Sequence, residues 1–176
     1  MPTSPDTGGD TDHRQSDHRQ DDRRIAGLAR AYLDADYRWE LGGDWHDLRI
    51  GLPAPGLEMA HADADSFGFI AAWNPHSIER PESENRADDH ALHQALIESG
   101  RPFRAAFASA PNRSWREPSW VVMGLPLEDF DALMRRFGQL GTLRWRPGEP
   151  VRLRMDAARP QGFEDDAYVD WLQRLK

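Results

Sequence analysis

Between residues 67 and 155 short apolar runs alternate with helical periodicities in one order: strand, helix, strand, strand, helix, strand. No other feature narrows the fold as far, because few layered architectures accommodate that succession. Phe67 to Trp73 is a short, mostly apolar run closed by Asn74-Pro75, where the residue before proline is driven out of helical geometry. The spacing predicts a helix over 81–99 ended by Gly100. Phe103 to Ala108 and Ser119 to Gly124 read as two further strands around the turn-rich Pro111-Asn112-Arg113-Ser114. Pro126 opens a second helix with Phe130, Leu133, Met134 and Phe137 on one face, and Gly138 is placed to cap it. The expectation is an α+β chain with a ferredoxin-like split βαβ core, βαββαβ.

The flanks are expected to add β-hairpins and terminal helices. Ile25, Leu28, Ala29, Tyr32 and Leu33 form one helical stripe. Tyr37 to Leu41 and Trp45 to Ile50 flank Gly42-Gly43-Asp44, a turn able to supply the positive φ that tight hairpins need. A helical turn is expected through Leu57 and Met59. A last hairpin runs over Thr142 to Trp145 and Val151 to Met155, and Tyr168, Trp171, Leu172 and Leu175 carry helical spacing. The helical and strand periodicities together place Phe69, Trp73, Leu92, Leu96, Phe130, Leu133 and Phe137 in one core between two helices and a sheet face.

Residues 1–24 contain almost nothing apolar and repeat Asp-His-Arg-Gln at 12–15 and 17–20, so they are expected to form a disordered tail ahead of a single domain over 25–176. That tail carries six acidic and four basic residues, and the rest carries 24 acidic against 18 basic. Neither part is a basic arm, and a net charge of -8 opposes a phosphate backbone, so no nucleic-acid partner is expected. The chain has no cysteine, which excludes a disulfide framework, a thiolate metal site and a cysteine nucleophile. Its start lacks a signal-peptide pattern and no apolar run reaches membrane-spanning length, so a cytoplasmic protein without a membrane partner is expected.

Several short motifs occur in sequence: Ala31-Tyr32-Leu33, Leu48-Arg49-Ile50-Gly51, Ala71-Ala72-Trp73-Asn74-Pro75-His76-Ser77, Glu84-Asn85, Glu117-Pro118-Ser119 and Arg136-Phe137-Gly138-Gln139. Together they resemble the bacterial domain-of-unknown-function 3293 family, from about residue 31 to about residue 153. The family usually continues the last motif with asparagine and alanine, where this chain has Leu140-Gly141, and its loop before Glu117 is usually longer. The resemblance implies no known activity.

Two clusters are therefore the candidate sites. Asn74, Ser77, Glu84 and Asn85 are expected to meet at the carboxyl end of the first central strand, with Asn85 facing the sheet and bracing the strand-to-helix loop or holding a ligand. Glu117, Ser119 and Gln139 form the second cluster, expected at the opposite end of the sheet because the strand that Glu117 opens is expected to run parallel to the first. Ser77 beside His76 lacks a nucleophile elbow and reads as a cap. His90 and His93 near Asp89 lack a zinc pattern and read as solvated. Phe67, Phe69 and Trp73 share a strand face that serves either as stacking platform or as core. No metal and no cofactor are expected. The sequence favours a binding or regulatory module for a protein or small ligand, with an enzyme using Glu84 or Glu117 as acid or base as the alternative.

Overall fold

A computed structural model describes residues 9–165 and 167–173. The chain is α+β: among the described residues four α-helices accompany an eight-stranded sheet. Helix α1 (Gly9–Asp34) leads into strands β1 (Asp36–Leu41) and β2 (Asp44–Leu48), and helix α2 (Pro55–Ala60) follows. Gly42 and Gly43 both hold positive φ, 62° and 93°, which lets the β1–β2 hairpin close in two residues. Then come strand β3 (Phe67–Ala71), helix α3 (Glu82–Glu98), strands β4 (Phe103–Ser109) and β5 (Arg116–Met123), and helix α4 (Leu127–Arg136). Strands β6 (Gly141–Trp145), β7 (Arg152–Ala158) and β8 (Val169–Gln173) complete the sheet.

The spatial order is β2-β1-β4-β5-β3-β6-β7-β8. Every neighbouring pair is antiparallel except β7 and β8. Three expectations change here. First, β5 runs antiparallel to β3, with Ala71 opposite Ser119 and Phe67 opposite Met123. A strand joined to β4 by a short turn must reverse direction, so when it inserts beside β3 it brings Glu117 to the carboxyl end of β3. Second, residues 169–173 form a strand where a terminal helix was expected. A short apolar run satisfies either period, and the free edge of β7 offers unpaired backbone groups that β8 completes in parallel. Leu175, the last residue of that expected helix, lies outside the described residues.

Third, there are two cores, one on each sheet face. Strand alternation sends Phe67 and Phe69 toward α1 and α2, where they pack with Ile25, Ala29, Tyr37, Leu57, Val121 and Leu143. Ile70 and Ala72 point the other way and meet Leu92 and Leu96 of α3 and Phe130, Met134 and Phe137 around α4. Phe69 thus belongs to the opposite core from the helix residues it was grouped with, and Phe67 and Phe69 are no stacking platform because both are buried. Gly68 is where α4 presses on the sheet: a Cβ there would stand 2.3 Å from the Phe130 ring.

Helix α1 begins before residue 24, the expected end of the tail. No proline interrupts residues 9–34, so the periodic helix continues through the polar segment. Arg24 donates to the carbonyl of His76 and Asp22 accepts from the Gln161 amide, so the helix is tied to the body ahead of its apolar stripe. Residues 1–8 lie outside the described residues, as do the side chains of the His13 and His18 repeat.

Candidate functional site

The carboxyl end of β3, the start of β5 and the start of β6 lie side by side, and the loop after β3 crosses above them. That loop holds Asn74, His76 and Ser77 in the left-handed region, at φ of 46°, 58° and 55°. Each such non-glycine residue costs on the order of 1–3 kcal/mol and persists only where its surroundings hold it. Its partners are visible. The His76 amide donates to Gly138 O at 2.7 Å and the Asn74 amide donates to Asn85 Oδ1 at 2.8 Å. Gly138, itself at φ 61°, lets the loop sit directly on the turn after α4: a Cβ there would come within 2.9 Å of Pro75 Cβ.

Asn85, 2% exposed, is the keystone of this loop. Its Nδ2 donates to Asn74 Oδ1 at 2.9 Å, and its Oδ1 also accepts Arg80 Nε at 2.7 Å. Arg80 continues to Asp88 at 2.7 Å. The Asn74 side chain, fixed from below, donates its Nδ2 to Glu117 Oε1 at 2.9 Å. The two clusters expected at opposite ends therefore meet in one place. Gln139 joins them, donating to Trp73 O at 3.0 Å and Phe137 O at 3.1 Å. Ser119, buried, spends its hydroxyl on Glu117 O at 3.1 Å and acts on the strand rather than on open space.

Asn74, Glu117 and Gln139 line a cavity of about 170 Å³ with Leu28, Ala31, Tyr32, Trp73, Ser77, Glu79 and Trp115. The Tyr32 hydroxyl is hydrogen-bonded to the Ser77 hydroxyl, and Tyr37 donates to Tyr32 O at 2.7 Å. Gly141 makes room for Tyr32, since a Cβ there would stand 2.7 Å from its ring. Burial raises the Glu117 carboxyl above its usual range, partly offset by the Asn74 hydrogen bond. Burial likewise raises the phenols of Tyr32 and Tyr37.

Glu84 is not part of the site: it is exposed on α3, pointing away from the cavity that its neighbour Asn85 supports. His93 is not simply solvated, because it stacks on Trp120 with centroids 4.7 Å apart, while His90 is exposed. Asp89 accepts the Trp120 indole N–H at 3.0 Å. No cluster of three potential metal ligands occurs among the described residues. Trp115, Glu79 and Arg80 were not singled out in the sequence, and Tyr32 stood there in a helical stripe and in the Ala31-Tyr32-Leu33 motif but not among the candidate site residues. Trp115 carried a usable signal, since strand alternation places residues 115, 117 and 119 on one face.

Residues 70–141, the stretch that builds most of this cavity, match the family model described as Protein of unknown function (DUF3293). This segment carries the DUF3293 signature. It supplies Trp73, Asn74, Ser77, Asn85, Glu117 and Gln139, whereas Tyr32 comes from α1 outside the matched span. No curated protein and no solved structure matches the chain. No helix among the described residues is long and apolar enough to cross a membrane.

Proposed function

We propose that the chain is a binding module for a small ligand rich in hydrogen-bond donors, such as a protonated amine, held in the cavity beside Glu117. The observation that carries this reading is the Glu117 carboxylate itself, half-buried, with Asn74 on one oxygen and the cavity beside it. The rest of the lining agrees in chemistry. Gln139 and Glu79 add acceptors, Trp73, Trp115 and Tyr32 add aromatic rings of the kind that attract a cation, and no lysine or arginine lines the cavity. An ammonium group placed against Glu117 would replace the water that burial removes and draw the carboxyl back toward its ionised form.

Methylammonium, ethylammonium and tetramethylammonium titrated into the protein test this, with binding followed by tryptophan fluorescence and melting temperature. Saturable binding by an alkylammonium, lost in Glu117→Gln, is expected. Equal binding by that variant, or none by the wild type, would overturn the reading.

A second reading is supported by the raised Glu117 carboxyl. A carboxylate that binds a proton more readily than usual, next to a paired tyrosine and serine hydroxyl, suits an acid or base in proton transfer. Glu84, exposed and outside the cavity, has no such setting. The architecture is read as the split βαβ core, and the antiparallel central order β4-β5-β3-β6 with α3 and α4 on one face supports that.

A further inference from the structure

The sheet face that carries α3 and α4 is covered over its middle strands and open toward β2. There, alternation along β1, β2, β4 and β5 sends Arg38, Trp45, Phe107, Ser109 and Arg116 to the same side, and Arg113 reaches in from the β4–β5 loop. They enclose a depression of about 360 Å³, within the size range of small-ligand sites, roughly 300–1,000 Å³. Trp45 is 43% exposed and meets the Phe107 ring edge-on at 4.8 Å. Arg116 lies over that ring, its Cζ 3.8 Å from the centroid. A guanidinium laid flat on a ring keeps its N–H edge free and its plane fixed, the arrangement suited to a carboxylate or phosphate.

Charge decides which ligand fits. Arg38 is met by Asp47 at 3.1 Å, but Arg113 and Arg116 make no ion pair among the described residues. Asp36 is the one acidic residue lining the depression, so the local balance is positive within a chain of net charge -8. Arg113 is also held at φ 58° in a loop closed by its amide to Ala110 O at 2.8 Å and by the Ser114 amide to Asn112 Oδ1 at 3.0 Å. Past Phe107 the groove continues toward α3, but its lining turns acidic with Glu82 and Asp89, and Arg86 there is paired with Glu82. A long polyanion would run into those carboxylates. A short ligand would not.

We propose that this depression binds a small free ligand combining a planar ring with one anionic group, of the nucleoside-monophosphate or aromatic-acid class. Its ring stacks on Trp45, and its phosphate or carboxylate is taken by Arg113 and Arg116. The site is separate from the Glu117 cavity and does not rest on the reading given for it.

The test is calorimetric titration of the full chain with adenosine, guanosine and uridine 5′-monophosphates and with indole-3-acetate, alongside adenosine alone and inorganic phosphate alone. Saturable binding of at least one ring-bearing anion is expected, tighter than either half by about tenfold or more, the scale of one added ionic or stacking contact. Arg116→Ala should weaken it about tenfold or more and Arg116→Lys should restore only part, since lysine keeps the charge without the plane. Trp45→Ala should weaken ring-bearing ligands alone, and Arg135→Ala, which removes the same charge from exposed α4 surface, should change nothing. Melting curves confirm that each variant folds. Absence of binding up to about 10 mM, beyond the millimolar range expected of one stacking and one ionic contact, overturns the proposal. So does binding untouched by Arg116→Ala. An oligothymidylate that binds more tightly with each added nucleotide, with a steep salt dependence, would also overturn it in favour of a single-strand groove.

Discussion

Replacing Asn85 by alanine removes an amide that is 2% exposed and engages three partner atoms. The Asn74 amide loses its acceptor at 2.8 Å, Asn74 Oδ1 loses its donor at 2.9 Å, and Arg80 Nε loses a bond of 2.7 Å. Arg80 keeps Asp88 and is partly exposed, so its loss is small. The two Asn74 groups remain stranded in a half-buried loop, at about 1–3 kcal/mol for each unsatisfied group with partial rescue by water, or about 2–4 kcal/mol together. For a chain of this size that lowers the melting temperature by about 5–15 °C. Urea unfolding followed by tryptophan fluorescence measures it, with an unchanged slope confirming that stability rather than compactness has altered. Asn85→Asp keeps the acceptor for the Asn74 amide and for Arg80 but sets a second oxygen against Asn74 Oδ1, an acceptor facing an acceptor, so it should not restore wild-type stability. Asn85→Ala also frees Asn74 from below, and with it the hydrogen bond that restrains the Glu117 carboxyl, which should shift further upward. A loss under about 1 kcal/mol for Asn85→Ala would refute the keystone role, because no buried group would then have been stranded.

Two more outcomes follow from the same region. Because burial raises the Glu117 carboxyl, its stabilising form is the protonated one, fully present below the ordinary glutamate value and lost as pH rises through the raised one. Glu117→Gln should therefore melt higher than the wild type at neutral pH and converge with it near pH 4, about the ordinary glutamate value, in a melting series across that window. Gly138→Ala and Gly100→Ala place the same residue at nearly the same φ, 61° and 66°, but only the first meets an obstacle, Pro75 Cβ at 2.9 Å. Denaturant melts should show about 1–2 kcal/mol lost at Gly100 and about 1–3 kcal/mol more at Gly138.

Much of the framework was legible in the chain because local signals agreed with the final fold. Gly42-Gly43 marked the hairpin, Pro126 and Gly138 bracketed α4, and Asn74-Pro75 ended the apolar run of β3. The site was legible as residues but not as a place. Asn74, Ser77, Asn85, Glu117 and Gln139 were all singled out, yet they were divided between two ends of the sheet because the direction of β5 is a tertiary property. Which face a strand buries is equally invisible when both faces are covered, so β3, apolar at every position, gave no sign that Phe69 and Ile70 part company. The end of the chain failed for a different reason: spacing alone does not separate a short helix from an edge strand, and only the vacant side of β7 decides it.

The start of β5 divides its side chains between two regions by parity. Trp115 and Glu117 belong to the cavity under α1, while Arg116 and Pro118 belong to the open face. Point substitutions can thus tune either region with little effect on the other, and selection has two independent dials on one strand. An insertion or deletion of a single residue between 115 and 118 has no such freedom. It would exchange the two sets, turning an arginine toward the buried carboxylate's position and a glutamate onto the Phe107 ring, so the strand's length is under a tighter constraint than any one of its residues.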